Sequence, residues 1–119
     1  MKNDNILQIK SYAFAIRIIR AYQYLAGEKK EYVLSKQLLR SGTSIGANVE
    51  EAIGGQTDKD FNAKLNIVYK EARETHYWIR LLKDTDYFDT TRAASLLNDC
   101  EEILKITGSI IKTLKNRNS

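Results

Sequence analysis

The sequence predicts an all-α protein, an antiparallel up-down-up-down four-helix bundle, on three grounds. The 119 residues contain no proline and only six glycines, so little interrupts long helices. Apolar residues recur at three- and four-residue spacing in four blocks. The segments between the blocks are short and polar, which makes neighbouring helices antiparallel. At 43% hydrophobic and 29% charged residues the chain can fill one core without metals or disulfides, so residues 1–119 read as a single domain.

The first helix is expected at about 6–26, dense in Ile, Leu, Ala and aromatics, with Gly27 as its stop. Lys10, Arg17 and Arg20 share one narrow sector of it, while Tyr12, Phe14, Ile16, Ile18, Ile19, Tyr22 and Leu25 spread over most other directions. A surface helix needs only one apolar stripe, so this one is expected to meet partners on more than one side. A loop through Glu28-Lys29-Lys30 leads to the second helix, about 31–53. There Leu34, Leu38, Ile45, Val49 and Ala52 form the apolar face, and Arg40, Ser44, Asn48 and Glu51 form a polar stripe beside it. Gly42 and Gly46 each cost roughly 1 kcal/mol in a helix interior. Their small side chains imply that another helix passes close.

Gly54-Gly55 ends that helix, and Thr57-Asp58-Lys59-Asp60 resembles a capping box for the third, about 58–84. Phe61, Leu65, Val68, Ala72, Thr75, Ile79 and Leu82 make a heptad seam on it. Ile67, Glu71, Glu74, Trp78 and Leu81 make a second stripe, which predicts a second set of neighbours, another copy of the chain. After the turn Asp84–Asp89, Asp89 or Thr90 can cap the fourth helix, about 90–116. Its seam is read as Leu97, Cys100, Leu104, Thr107, Ile111 and Leu114, widened by Leu96, Ile103 and Ile110.

The quartet of signatures Gln37-Leu38-Leu39-Arg40, Ser44-Ile45-Gly46-Ala47-Asn48-Val49-Glu50-Glu51, Thr57-Asp58-Lys59-Asp60-Phe61 and Lys70-Glu71-Ala72-Arg73-Glu74-Thr75-His76-Tyr77-Trp78 carries a resemblance. Over nearly its whole length the chain resembles the four-helix-bundle proteins encoded in intervening sequences of bacterial 23S rRNA genes. It is similar as well to the accessory variability determinant of diversity-generating retroelements. The family's usual pattern has Gly where this chain has Ala52, a local departure. The resemblance implies a ring-like homo-oligomer, a homopentamer of four-helix protomers. For the retroelement members it further implies binding to a reverse transcriptase and to nucleic acid.

Charge is unevenly placed. Residues 1–49 carry eight Lys or Arg against three acids, residues 50–102 seven against twelve, and residues 103–119 four against none. Lys10, Arg17 and Arg20 are spaced by seven and three, and Lys105, Lys112 and Lys115 repeat that spacing. If the first and last helices are neighbours, these six could form one basic face able to contact phosphates. An ordinary solvated face is the competing reading, and the residues leave both open; the family resemblance favours nucleic acid. Tyr12, Tyr22 and Tyr24 could stack on bases, although core or interface packing is favoured.

The carboxylates invite a di-metal reading, but such bundles use paired Glu-x-x-His motifs. The sole histidine, His76, follows Glu74 by two residues, so no metal or other cofactor is expected. The stripe Arg40, Ser44, Asn48, Glu51, Glu71 and Glu74 is read as a hydrogen-bonded network at a helix or subunit contact, since Arg40 compensates the acids. Cys100 lies in an apolar stripe and is expected to be inert. Gly42-Thr43-Ser44-Ile45-Gly46 lacks the strand and lysine of a phosphate loop. With one cysteine, no signal-like core and no membrane-length apolar run, a cytoplasmic location is expected. These readings converge on a non-enzymatic scaffold that binds RNA or a ribonucleoprotein. The alternative is an adaptor docking an acidic protein partner.

Overall fold

Four helices, α1 (Lys2–Gly27), α2 (Leu34–Ile53), α3 (Asp58–Asp84) and α4 (Thr90–Arg117), are joined by connections of six, four and five residues. The computed structural model describes residues 2–117, with side chains from residue 5 onward, and no strand occurs among them. Each helix packs on its successor, and α1 closes against α4. The four make a rod of 48 × 21 × 20 Å.

Two helix starts differ from expectation. α1 begins at Lys2, four residues before the apolar pattern starts at Ile6. Polar residues carry no periodic signal, yet nothing in Lys2–Asn5 stops a helix. α2 begins at Leu34, so residues 31–33 lie outside it. The cause is Glu31, whose carboxylate accepts the backbone N–H groups of Val33 at 3.2 Å, Leu34 at 3.0 Å and Ser35 at 2.7 Å. The Ser35 hydroxyl donates back to the Glu31 carbonyl at 2.7 Å. A carboxylate that serves the first turn from outside must stay outside. Lys30 turns the chain into that position with φ of 57°.

The other starts follow ordinary capping. Thr57 Oγ1 accepts the Asp60 N–H at 3.0 Å, and Asp89 Oδ1 accepts the Arg92 N–H at 2.7 Å. Between α3 and α4 the Tyr87 and Phe88 N–H groups both donate to the Leu82 carbonyl, and Phe88 is buried at that end of the core.

The core runs the length of the rod through Leu7, Phe14, Ile18 and Leu25 of α1 and Leu38, Ile45 and Val49 of α2. Leu65, Val68, Ala72, Ile79 and Leu82 of α3 complete it with Leu96, Cys100, Ile103 and Ile110 of α4. The α4 seam is rotated from its expected line. Leu96, Ile103 and Ile110 lie at its centre, whereas Leu97, Leu104 and Ile111 are half-buried at its edge. Ser41 and Thr75 meet inside the core, where a 2.9 Å hydrogen bond joins α2 to α3.

The glycines of α2 serve the close approach of α1. A Cβ on Gly42 would sit 2.7 Å from two carbons of Ile18, and one on Gly46 would sit 3.4 Å from the Ser11 carbonyl oxygen. Glycine's helix penalty is thus exchanged for closer packing along α1.

Candidate functional site

The basic residues of α1 and α4 are partly divided by acids. α1 and α4 are neighbours, but Asp99 and Glu102 lie between their basic sectors. Lys10 Nζ meets Glu102 at 2.7 Å, and this hydrogen bond and charge hold its ammonium above the ordinary range. Arg17 meets Asp99 at 2.6 Å and donates to the Ser95 carbonyl at 3.4 Å. These pairs link α1 to α4 and leave Lys10 and Arg17 less available to phosphates than their sequence spacing implies. Half-exposed pairs of this kind add little stability.

The remaining basic residues are different. Lys105, Lys112 and Lys115 are exposed and make no ion pair among the described residues. At 100° per residue Lys105 and Lys112 lie opposite the buried line Ile103–Thr107–Ile110. Arg20 is exposed too, held only by a long 3.5 Å contact to Gln23 Oε1. The single continuous face suggested by spacing therefore becomes two groups, an outer lysine row on α4 and an arginine on α1.

Beside Arg20 the α1/α4 pairing opens a cavity of about 250 Å³, lined by Ile16, Arg17, Arg20, Ala21, Tyr24, Arg92 and Leu96. The Arg92 guanidinium lies 4.0 Å from the Tyr24 ring centroid, and Lys29 Nζ lies 5.9 Å from the same ring. Arg92 Nη1 is buried without a hydrogen-bond partner. Three arginines line the cavity; Arg17 is paired with Asp99, while Arg20 and Arg92 have no acid partner among the described residues, so its chemistry suits an anion. Spacing along α4 does not single out Arg92. It stands alone between Thr91 and Ala93, and only the α1/α4 packing brings it to Arg20.

The polar stripe between α2 and α3 divides into local sets. Arg40 spans both Glu71, at 3.1 Å, and Glu74, and the Trp78 indole donates to Glu74 at 2.9 Å. Glu51 instead pairs with Lys64 at 2.9 Å, and Asn48 donates to the Ser44 carbonyl within α2 at 2.8 Å. Ser44's hydroxyl joins none of these bonds. Glu71, Glu74, Trp78 and Leu81 are half-buried within the protomer, so only Ile67, 39% exposed, remains markedly open on this stripe. On the second stripe of α3, Arg40 of α2 engages Glu71 and Glu74, and the other members stay at least partly exposed.

The more open apolar surface is on α1. Ile9, Tyr12, Ile16 and Ile19 are 69%, 67%, 45% and 40% exposed, and their spacing of three, four and three places them on one outward stripe. Tyr22 and Tyr24 are half-buried.

Groups with reactive potential are engaged elsewhere. Burial, aided by Glu101 and Asp99, pushes the Cys100 thiol up to about 12, and its Sγ donates to the Ala72 carbonyl at 3.2 Å. His76 Nε2 lies 2.9 Å from Glu101 Oε2, joining α3 to α4. Among the described residues no three His, Cys, Asp or Glu side chains converge as a metal site would require. None of the described helices is long and apolar enough to cross a membrane.

Known proteins supply the context. The sequence profile of the 23S rRNA-intervening sequence proteins matches residues 3–109. A crystal structure of a protein of unknown function from the S23 ribosomal protein family of Bacteroides thetaiotaomicron VPI-5482 is 52% identical, with a TM-score of 0.91. The match covers 92% of this chain and 98% of that one. No curated protein matches.

Proposed function

The chain belongs to the 23S rRNA-intervening sequence protein family, and from that premise we propose that it is a non-enzymatic oligomeric scaffold that binds RNA or a ribonucleoprotein. Its protomer is an antiparallel up-down-up-down bundle, and five such protomers form a ring in the cytoplasm. The mechanism is electrostatic. Lys105, Lys112 and Lys115 contact phosphates from the outer side of α4, and Arg20 contacts them from α1. Lys10 and Arg17, already paired with Glu102 and Asp99, contribute less to this contact.

The observation that carries this reading is the lysine row of α4, exposed and without an acid partner among the described residues. Repeating that row in every protomer multiplies a modest charge into a field that attracts polyanions. The test is anisotropy of a labelled single-stranded RNA across a salt series. Changing Lys105, Lys112 and Lys115 together to Ala is expected to weaken binding and to flatten the log–log salt slope by about 2. Absence of binding at low salt, or the same slope in the triple variant, overturns the reading.

A protein–protein adaptor is the second reading, in which the same exposed lysines of α4 dock an acidic partner. An acidic partner retained through nuclease treatment supports it over RNA binding.

A further inference from the structure

We propose that the cavity between α1 and α4 is a phosphate pocket in which Arg20 and Arg92 grip one phosphate of a nucleotide while the rest of the ligand stays outside. Arg92 points to this role. Its guanidinium carbon lies over the Tyr24 ring, 4.0 Å from the centroid. That contact leaves Nη1 buried with no acceptor. Asp89 caps α4 through the Arg92 backbone N–H and makes no ion pair with the guanidinium. Asp99 does not either, being engaged by Arg17 at 2.6 Å. Arg92 lines the cavity and makes no ion pair among the described residues, so its charge there is uncompensated.

The surroundings define the acceptor. Arg20, held by a long 3.5 Å bond to Gln23, supplies a second fork without an acid partner among the described residues. Ile16, Ala21 and Leu96 make the wall apolar, which strengthens charge interactions beside it. Guanidinium forks match phosphate oxygens two at a time. At about 250 Å³ the cavity is smaller than a usual whole-ligand site of roughly 300 Å³ or more, so it accepts one group of a larger molecule. A phosphate in an RNA backbone and one on a free nucleotide share this chemistry. The proposal deepens the RNA reading and rests on it only for the first source.

The experiment titrates isotopically labelled protein with inorganic phosphate, adenosine 5′-monophosphate and a short single-stranded RNA, following the arginine side-chain Nε–Hε signals. Saturable shifts of the Arg20 and Arg92 signals with the small phosphates are expected. Arg92→Gln is expected to weaken their binding about tenfold, with Arg92→Lys between, since lysine keeps charge but loses the fork. Shifts with monophosphate and no RNA binding support the pocket with a free nucleotide and count against the RNA reading. RNA binding that leaves both arginine signals unmoved and is unchanged in Arg92→Gln overturns the pocket and spares the RNA reading. Silence with every probe overturns the pocket and the RNA reading. If Arg92→Gln fails to fold, the wild-type titration alone decides.

Discussion

Thr107 and Cys100 occupy the same buried line of α4 and pose different problems for it. Thr107 is buried with its Oγ1 unpaired. Replacing that hydroxyl by a methyl group of similar shape removes an uncompensated desolvation. Thr107→Val is therefore expected to raise stability by about 1 kcal/mol in denaturant melts, and a loss of stability would refute the orphaned hydroxyl. The Cys100 thiol is harder to ionise when folded, at about 12, than at its ordinary value of 9.0. Below that ordinary value it is neutral in both states and costs nothing. As pH rises from 9.0 toward about 12, the unfolded chain loses the proton first, so stability falls. Cys100→Ala is expected to flatten this alkaline decline, which pH-dependent unfolding would show. An equally steep decline in the variant would contradict it.

The connection before α2 is the element whose design is least ordinary. Three backbone N–H groups converge on the Glu31 carboxylate, while the N-cap residue Val33 supplies no side-chain bond. Glu31→Ala removes an acceptor that serves most of the first turn. A loss of about 1 to 2 kcal/mol is expected, with faster hydrogen exchange at Val33, Leu34 and Ser35. Unchanged exchange at those amides would show that water replaces the carboxylate freely. The glycines of α2 belong to the same level of organisation. Their helix penalty and the seating of Ile18 against Gly42 describe one contact between α1 and α2.

Across the whole molecule, apolar and basic surfaces are separated. Ile9, Tyr12, Ile16 and Ile19 face outward from α1, and Lys105 and Lys112 face outward from α4. An assembly built on the first would leave the second free for polyanions. Ile9→Lys with Ile16→Lys is expected to reduce the sedimenting mass to that of a protomer while helix content is unchanged. An unchanged mass would refute α1 as a subunit contact. Trp78→Ala is expected to lower stability in denaturant melts, since the indole packs against the core and donates to Glu74.

How much was legible in the sequence follows from the range of each interaction. Apolar periodicity reports a helix and its inner face from residues three and four apart, so the four helices and the caps at Thr57 and Asp89 could be read directly. The glycines of α2 announced a close neighbour for the same reason, since a missing side chain is a local fact. Spacing along one helix says nothing of the charges on the helix beside it. Asp99 and Glu102 therefore pair with two members of a basic face that periodicity had joined, and Arg40 of α2 reaches two glutamates on the stripe of α3 that periodicity had assigned to another copy. Arg92 reached Arg20 only because α4 lies beside α1. Helices were decided by neighbours in sequence, whereas surface charge and cavities were decided by neighbours in space.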